Sequence, residues 1–107
     1  MPEFDVHGEW SLHQSNGFKT TFNIQQNGTS LTGSASAAGM AGTGRGRVQG
    51  DSFIFTVDWN PAGDEKGPLG EYSGTFNLDG RITGVTVDLN HATSQAFWSS
   101  DATFKKG

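Results

Sequence analysis

Apolar residues recur at every second position along almost the whole chain. Between Phe18 and Gln25, the residues Phe18, Thr20, Phe22 and Ile24 fall on one face, and Lys19, Thr21, Asn23 and Gln25 on the other. Between Ser52 and Trp59, the residues Phe53, Phe55, Val57 and Trp59 line one face, with Thr56 and Asp58 opposite. A period of two marks a β-strand with one side against a core, because successive side chains point to opposite faces of a sheet. Turn signals separate the runs: Ser15-Asn16-Gly17, Gln26-Asn27-Gly28, Gln49-Gly50-Asp51 and Leu78-Asp79-Gly80. Asn-Gly and Asp-Gly pairs accept the positive φ angles that tight hairpins demand.

Counting runs between turns predicts eight strands, near 8–14, 18–25, 30–37, 44–49, 52–60, 69–78, 81–89 and 95–105. Longer connections are expected at Ala37–Thr43 and Asn60–Pro68, and a last turn at Asn90–Ser94. Short connections make sequence neighbours into spatial neighbours, hence antiparallel pairs. An open sheet of eight strands would leave two unpaired edges, whereas closure removes both. Glycines inside the runs (Gly33, Gly46, Gly74 and Gly84) suit a strongly coiled sheet at its bends. The pattern therefore predicts an all-β fold, an eight-stranded antiparallel up-and-down β-barrel, with residues 1–107 as one domain. A β-sandwich is the alternative.

Composition narrows the function classes. Glycine accounts for 16 of 107 residues and cysteine for none, which starves helices and excludes both a disulfide scaffold and a thiolate metal site. Net charge is −4, and the seven cations are scattered apart from Arg45 with Arg47 and Lys105 with Lys106. Without a basic face, nucleic acid is not an expected partner. The longest apolar stretches are far too short for a membrane span. The start, Met1 to Trp10, lacks a basic leader followed by an apolar run, so a cytoplasmic location is expected if that start is native.

Several segments run in a recognisable order. They are Gly8-Glu9-Trp10 with a polar hairpin, Asn27 to Gly33, Phe55 to Trp59, Glu71 to Phe76, Gly80 to Thr83, Ala96 to Ser99 and Ala102 to Lys105. Over essentially the whole chain, with shorter loops, this set resembles the avidin and streptavidin family. The resemblance implies an eight-stranded barrel, often tetrameric, with biotin held at the open end. Trp59 and Trp98 stand where the family keeps tryptophans, and Tyr72 where it has another aromatic wall. Asp101 lies one residue out of register with the aspartate that bonds the ureido ring. The polar contacts match less well. Ala35 and Ala37 replace a tyrosine and a serine, and Leu12 and Gln14 stand nearest an asparagine and a serine. Each lost contact costs ~1–3 kcal/mol, so a barrel-mouth ligand is expected but biotin itself is not. Fold alone does not assign function.

Recognisable catalytic chemistry is scarce. The chain has no cysteine nucleophile, no Gly-x-Ser-x-Gly elbow and no His-Glu-x-x-His helix. Gly42-Thr43-Gly44-Arg45-Gly46 lacks the Lys-Ser/Thr of a phosphate loop and reads as a glycine-rich β-turn region. His7, Glu9 and His13 share one face of the first strand, but it lies opposite Trp10 and Leu12 and should be solvated; no metal or cofactor is expected. On 81–89, Val85, Val87 and Leu89 form the more apolar face, which puts Asp88 outside. On the last strand Ala96, Trp98, Ser100, Ala102 and Phe104 are the more apolar set, which puts Asp101 outside near a rim. A slip of one residue would invert either assignment.

Aromatic residues carry the functional lead. Trp10, Trp59, Tyr72 and Trp98 come from four strands that a barrel can gather. Small inward residues (Gly33, Ala35, Ala37, Gly46) either fill a taper against them or leave a cavity. The expected function is a non-enzymatic binding barrel. Trp10, Trp59, Tyr72 and Trp98 would be its walls, Gln14 and Asp101 polar contacts at the mouth, and 60–68 a lid. Rival readings are a saccharide-binding lectin using exposed tryptophans beside Asn60, Asp64, Asn77, Asn90 or Gln95, a small cyclase or isomerase, and an inhibitor with 60–68 as its tip. Expected partners are a small molecule or a saccharide, and the family's tetramers imply a homo-oligomer.

Overall fold

The alternating runs become strands in the computed structural model of the protein, which describes residues 3–37, 39–59, 69–89 and 91–107, without the side chains of 91–94. In chain order the strands are β1 (Phe4–Asp5), β2 (Gly8–Gln14), β3 (Lys19–Asn27), β4 (Ser30–Ala37), β5 (Met40–Gln49), β6 (Ser52–Asp58), β7 (Leu69–Phe76), β8 (Arg81–Asp88), β9 (His91–Thr103) and β10 (Lys105–Lys106). Strands β2 to β9 each pair antiparallel with the next, and β9 returns to β2. The sheet is a closed eight-stranded barrel, and the sandwich alternative falls.

Phe22, Phe53 and Phe55 fill the centre, fully buried with Leu12, Ile24, Leu31, Val48, Val57 and Ile82. The Phe22 ring lies 5.0 Å from that of Phe55 and 5.1 Å from that of Tyr72, centroid to centroid. Glycine makes room for this bulk. A Cβ on Gly44 would run into the Phe55 ring, and one on Gly42 would stand 2.9 Å from Val57 Cγ1. Below the mouth, then, small residues facing aromatics fill a taper.

Four expectations change. β5 begins at Met40, so most of the stretch from Ala37 to Thr43 is strand; ladders with β4 and β6 on both sides outweigh the poor strand preference of its glycines. β9 begins at His91, which shortens the last turn. A two-stranded sheet that the alternation did not reveal pairs Phe4 with Lys106 and Asp5 with Lys105. Finally, β8 turns its faces over. Ile82, Gly84, Thr86 and Asp88 point inward, while Leu89 and the half-buried Val85 and Val87 lie outside beside Phe97, whose side chain is 72% exposed. The β7–β8 ladder decides this, because Tyr72 pairs with Thr86 and Gly70 with Asp88.

One end is sealed. Phe4 stacks on Phe76 with centroids 3.9 Å apart, and Phe104 packs edge-on against both Phe76 and Trp10. Gln26 fastens the entering chain, accepting from Val6 N at 2.8 Å and donating to the Phe4 carbonyl at 2.9 Å.

Closure itself rests on a short seam, Leu12↔Ser100, His13↔Ser99 and Gln14↔Trp98. Side chains extend it. Asp101 Oδ1 accepts from Ser11 N at 3.1 Å, and Ser15 Oγ accepts from Phe97 N at 3.0 Å. Where the β8–β9 register slips between Arg81 and Thr83, buried Ser100 accepts from Ile82 N at 3.0 Å and donates to the Ala102 carbonyl at 2.8 Å. Ser100→Ala leaves both backbone groups without that partner, so it should lower stability by about 1–3 kcal/mol. A urea midpoint equal to that of the parent would show that the hydroxyl contributes nothing to closure.

Candidate functional site

The end opposite the aromatic seal differs in chemistry. Its inner surface is made by the last inward residues of β2, β3, β7 and β8, with Trp59 just beyond β6. Gln14 and Thr20 alternate with Leu12 and Phe22, so both face inward. Thr20 Oγ1 donates to Gln14 Oε1 at 2.7 Å. Across the lumen, the Tyr72 hydroxyl lies near the hydroxyls of Thr20 and Thr86.

Burial pushes the Tyr72 phenol above its ordinary value of 10.0, and the hydrogen bonds with Thr20 and Thr86 oppose that rise. The ring is part of the core cluster, in contact with Phe22 and Trp98. Trp59 is half-buried against the same cluster. Gly70 lets these rings close in: the place its Cβ would occupy is 3.0 Å from Trp59 Nε1 and 3.3 Å from Tyr72 Cε1. Asp88 pairs directly with Gly70 and therefore joins the same surface, contrary to the expectation that it faces solvent. Trp98 is buried between Phe53 and Tyr72, and its Nε1 has no hydrogen-bond partner among the described residues.

Of the six residues expected at the mouth, Gln14, Trp59, Tyr72 and Trp98 lie on the inner side of the wall toward this end. Trp10 lies at the sealed end, donating through Nε1 to the Val6 carbonyl at 3.0 Å and packed against Phe22, Phe53 and Phe104. Asp101 is exposed on the outside of β9, at the seam with Ser11. The expected lid at 60–68 falls outside the described residues, as do Asn60, Asp64 and Asn90 of the lectin reading. Trp10 and Trp98 are buried, which leaves Trp59 as the tryptophan with exposed surface. Thr20, Thr86 and Asp88 were not expected as site residues. The signal for Thr20 is its place in the alternation with Phe22 and Ile24; the signal for Thr86 and Asp88 is hidden by the more apolar Val85 and Val87.

Other candidate chemistry disperses. Glu9 and His13 are exposed on the outer face, and among the described residues no three His, Asp or Glu side chains gather as metal ligands. His7 Nδ1 lies 2.6 Å from Asp5 Oδ1 near the sealed end, and its hydrogen bond holds the Asp5 carboxyl below the ordinary 3.8. Gly42 to Gly46 lies within β5, in no relation to a helix. No family model, curated protein or solved structure matches this chain.

Tyr72 is the single tyrosine, so tyrosinate absorbance in an alkaline titration reports on it alone. Its folded-state value is raised, so the folded protein holds the phenolic proton more tightly than the unfolded chain does. The stability this provides is present below pH 10 and declines as pH rises from there through the raised value. The native protein should therefore ionise above pH 10, and Tyr72→Phe should lose less stability than the parent across that range. Native ionisation at the value of a free tyrosine would mean that the phenol is in water and not buried.

Proposed function

We propose that this protein is a non-enzymatic binding barrel that holds a small molecule at its mouth. The ligand would lie among Trp59, Tyr72, Gln14 and the hydroxyls of Thr20 and Thr86. The contrast between the two ends supports this reading. One is packed shut by Phe4, Phe76, Phe104 and Trp10, while the other turns hydroxyls, an amide and aromatic rings toward the lumen. Concave apolar walls with a few convergent polar groups are the usual make-up of a small-molecule site. The buried N–H of Trp98 adds a donor for which the described residues supply no acceptor. Biotin is not the ligand we expect, since alanines stand at 35 and 37.

Native mass spectrometry of the untagged protein, before and after incubation with biotin and a panel of small glycans and amines, tests the reading. It should show a retained or acquired small molecule, and the mass of the carrier gives the oligomeric state. Thr20→Val keeps the volume and removes the hydroxyl that holds Gln14, so it should weaken retention about tenfold, the worth of one hydrogen bond. Lys19→Ala, on the outer face, should retain the ligand as the parent does. Equal retention by both variants, or no uptake by the parent, would remove the mouth as a site.

A further inference from the structure

The outer wall of β8 and β9 carries apolar bulk that the described residues leave uncovered. Phe97 is 72% exposed and Leu89 47%, with Val85 and Val87 half-buried beside them. Their placement is ordered. Successive ladders set Ile54, Ser73, Val85 and Phe97 in one row across four neighbouring strands. The next row, Thr75, Thr83 and Ser99, is uncharged. Phe97 also forms one bank of a groove of about 610 Å³, which lies over the seam between β2 and β9 and reaches Thr83 and Val85 on β8. A protruding ring and a groove therefore stand side by side on one face. Large exposed apolar patches on a folded chain mark interaction surfaces.

Three observations say what covers it. A two-fold contact needs a patch complementary to itself, and a face with both a ring and a groove meets that condition. The charge pattern agrees. The chain carries −4, yet formal charges on this side of the wall stand at the borders: Glu71 beside Val87, and Arg81 and Asp101 beyond Thr83 and Ser99. A charged partner finds no opposite field at the centre, whereas two copies meeting here keep their acidic groups at the rim. Size sets the strength. Four strands about 4.8 Å apart, each followed for about six residues of 3.4 Å, cover about 400 Å². Each partner in a standard interface buries about 800 Å², so this face suits a reversible contact and not a permanent one. A closed barrel has no strand edge to offer, so the two sheets must meet face to face.

We propose that the outer face of β6 to β9 joins two copies of this chain in a reversible two-fold dimer, the Phe97 ring of each seated in the groove of the other. This inference stands apart from the mouth, since Phe97 and Val85 lie on the outside of the wall.

Sedimentation velocity of the full chain, from about 1 μM to about 1 mM, tests it. The mass should rise with concentration from the 11.4 kDa of one chain toward twice that value. Phe97→Lys changes an exposed side chain and would bury an unpaired charge in the contact, so it should weaken association at least about tenfold. Ser34→Lys, exposed on β4 across the barrel, should associate as the parent does. The chain has no cysteine, so a single introduced one reports proximity without interference. A short bis-maleimide should capture Ser99→Cys as a dimer and leave Ser34→Cys largely monomeric. A parent that stays monomeric throughout, association that Phe97→Lys leaves intact, or equal capture of the two cysteine variants would overturn the assignment. A monomeric parent that floats with neutral phosphatidylcholine vesicles, and loses this in Phe97→Lys, overturns the dimer and gives the face to lipid.

Discussion

Everything in this fold depends on closing the sheet between its first and last long strands. Seven of the barrel's eight strand contacts join neighbours along the chain through short connections or through 59–69, but β2 and β9 must meet across almost the full sequence. Only three residue pairs make that seam. Asp101, Ser15 and Ser100 supply side-chain acceptors to backbone N–H groups just where the ladder or the neighbouring register gives out. Buried backbone donors must find partners somewhere, and at this seam small polar side chains provide them. Asp101 is thereby accounted for as a closing residue on the outside of the wall.

Closure forces an interior too narrow for large side chains on every strand. The barrel resolves this by pairing bulk with absence: Phe55 lies over Gly44, and Trp59 and Tyr72 flank Gly70. At Gly84 the limit is the backbone itself, since a Cβ there would strike the Ser73 carbonyl. Tight backbone approach of this kind gives a sheet its strong coil. Aromatic bulk concentrates at the centre and at the sealed end, and the polar inward residues Gln14, Thr20, Thr86 and Asp88 are left to the other end. The polarity of the mouth is a consequence of how the interior is filled, and buried Thr20 satisfies its hydroxyl by donating to Gln14.

The same packing explains the outer surface of β8 and β9. Val85, Val87, Leu89 and Phe97 lie outside, where Leu89 and Phe97 are well exposed, while Gly84, Thr86 and Asp88 occupy the inner positions. With the strand turned the other way, its valines would compete for inner space with Trp98 and Tyr72, whose rings already cross that part of the lumen. Apolar character moved to the side of the strand that had room for it.

The sequence by itself determined the class of fold, the strand count and most of the strand positions. Those follow from local physics, because a period of two and Asn-Gly or Asp-Gly turns act within a few residues. It also determined the inward set on the last strand, where Trp98 and Phe104 outweigh their neighbours. Alternation also puts Gln14, Trp59, Tyr72 and Trp98 on the inner side of the wall. Only the tertiary structure decided which way β8 faces. Its two faces differ too little in isolation, and pairing with Gly70 and Tyr72 on β7 settles the matter. Tertiary structure alone separated Trp10 from the other aromatics as well, because the stagger of a closed barrel sets the level at which each inward residue lies. The short sheet of β1 and β10 was equally illegible: two residues carry no periodicity, and the stacking of Phe4 on Phe76 and the Gln26 bonds to Phe4 and Val6 hold them there. Hydrophobic pattern reports what a strand can bury, whereas the partner strands decide which side has space to bury it.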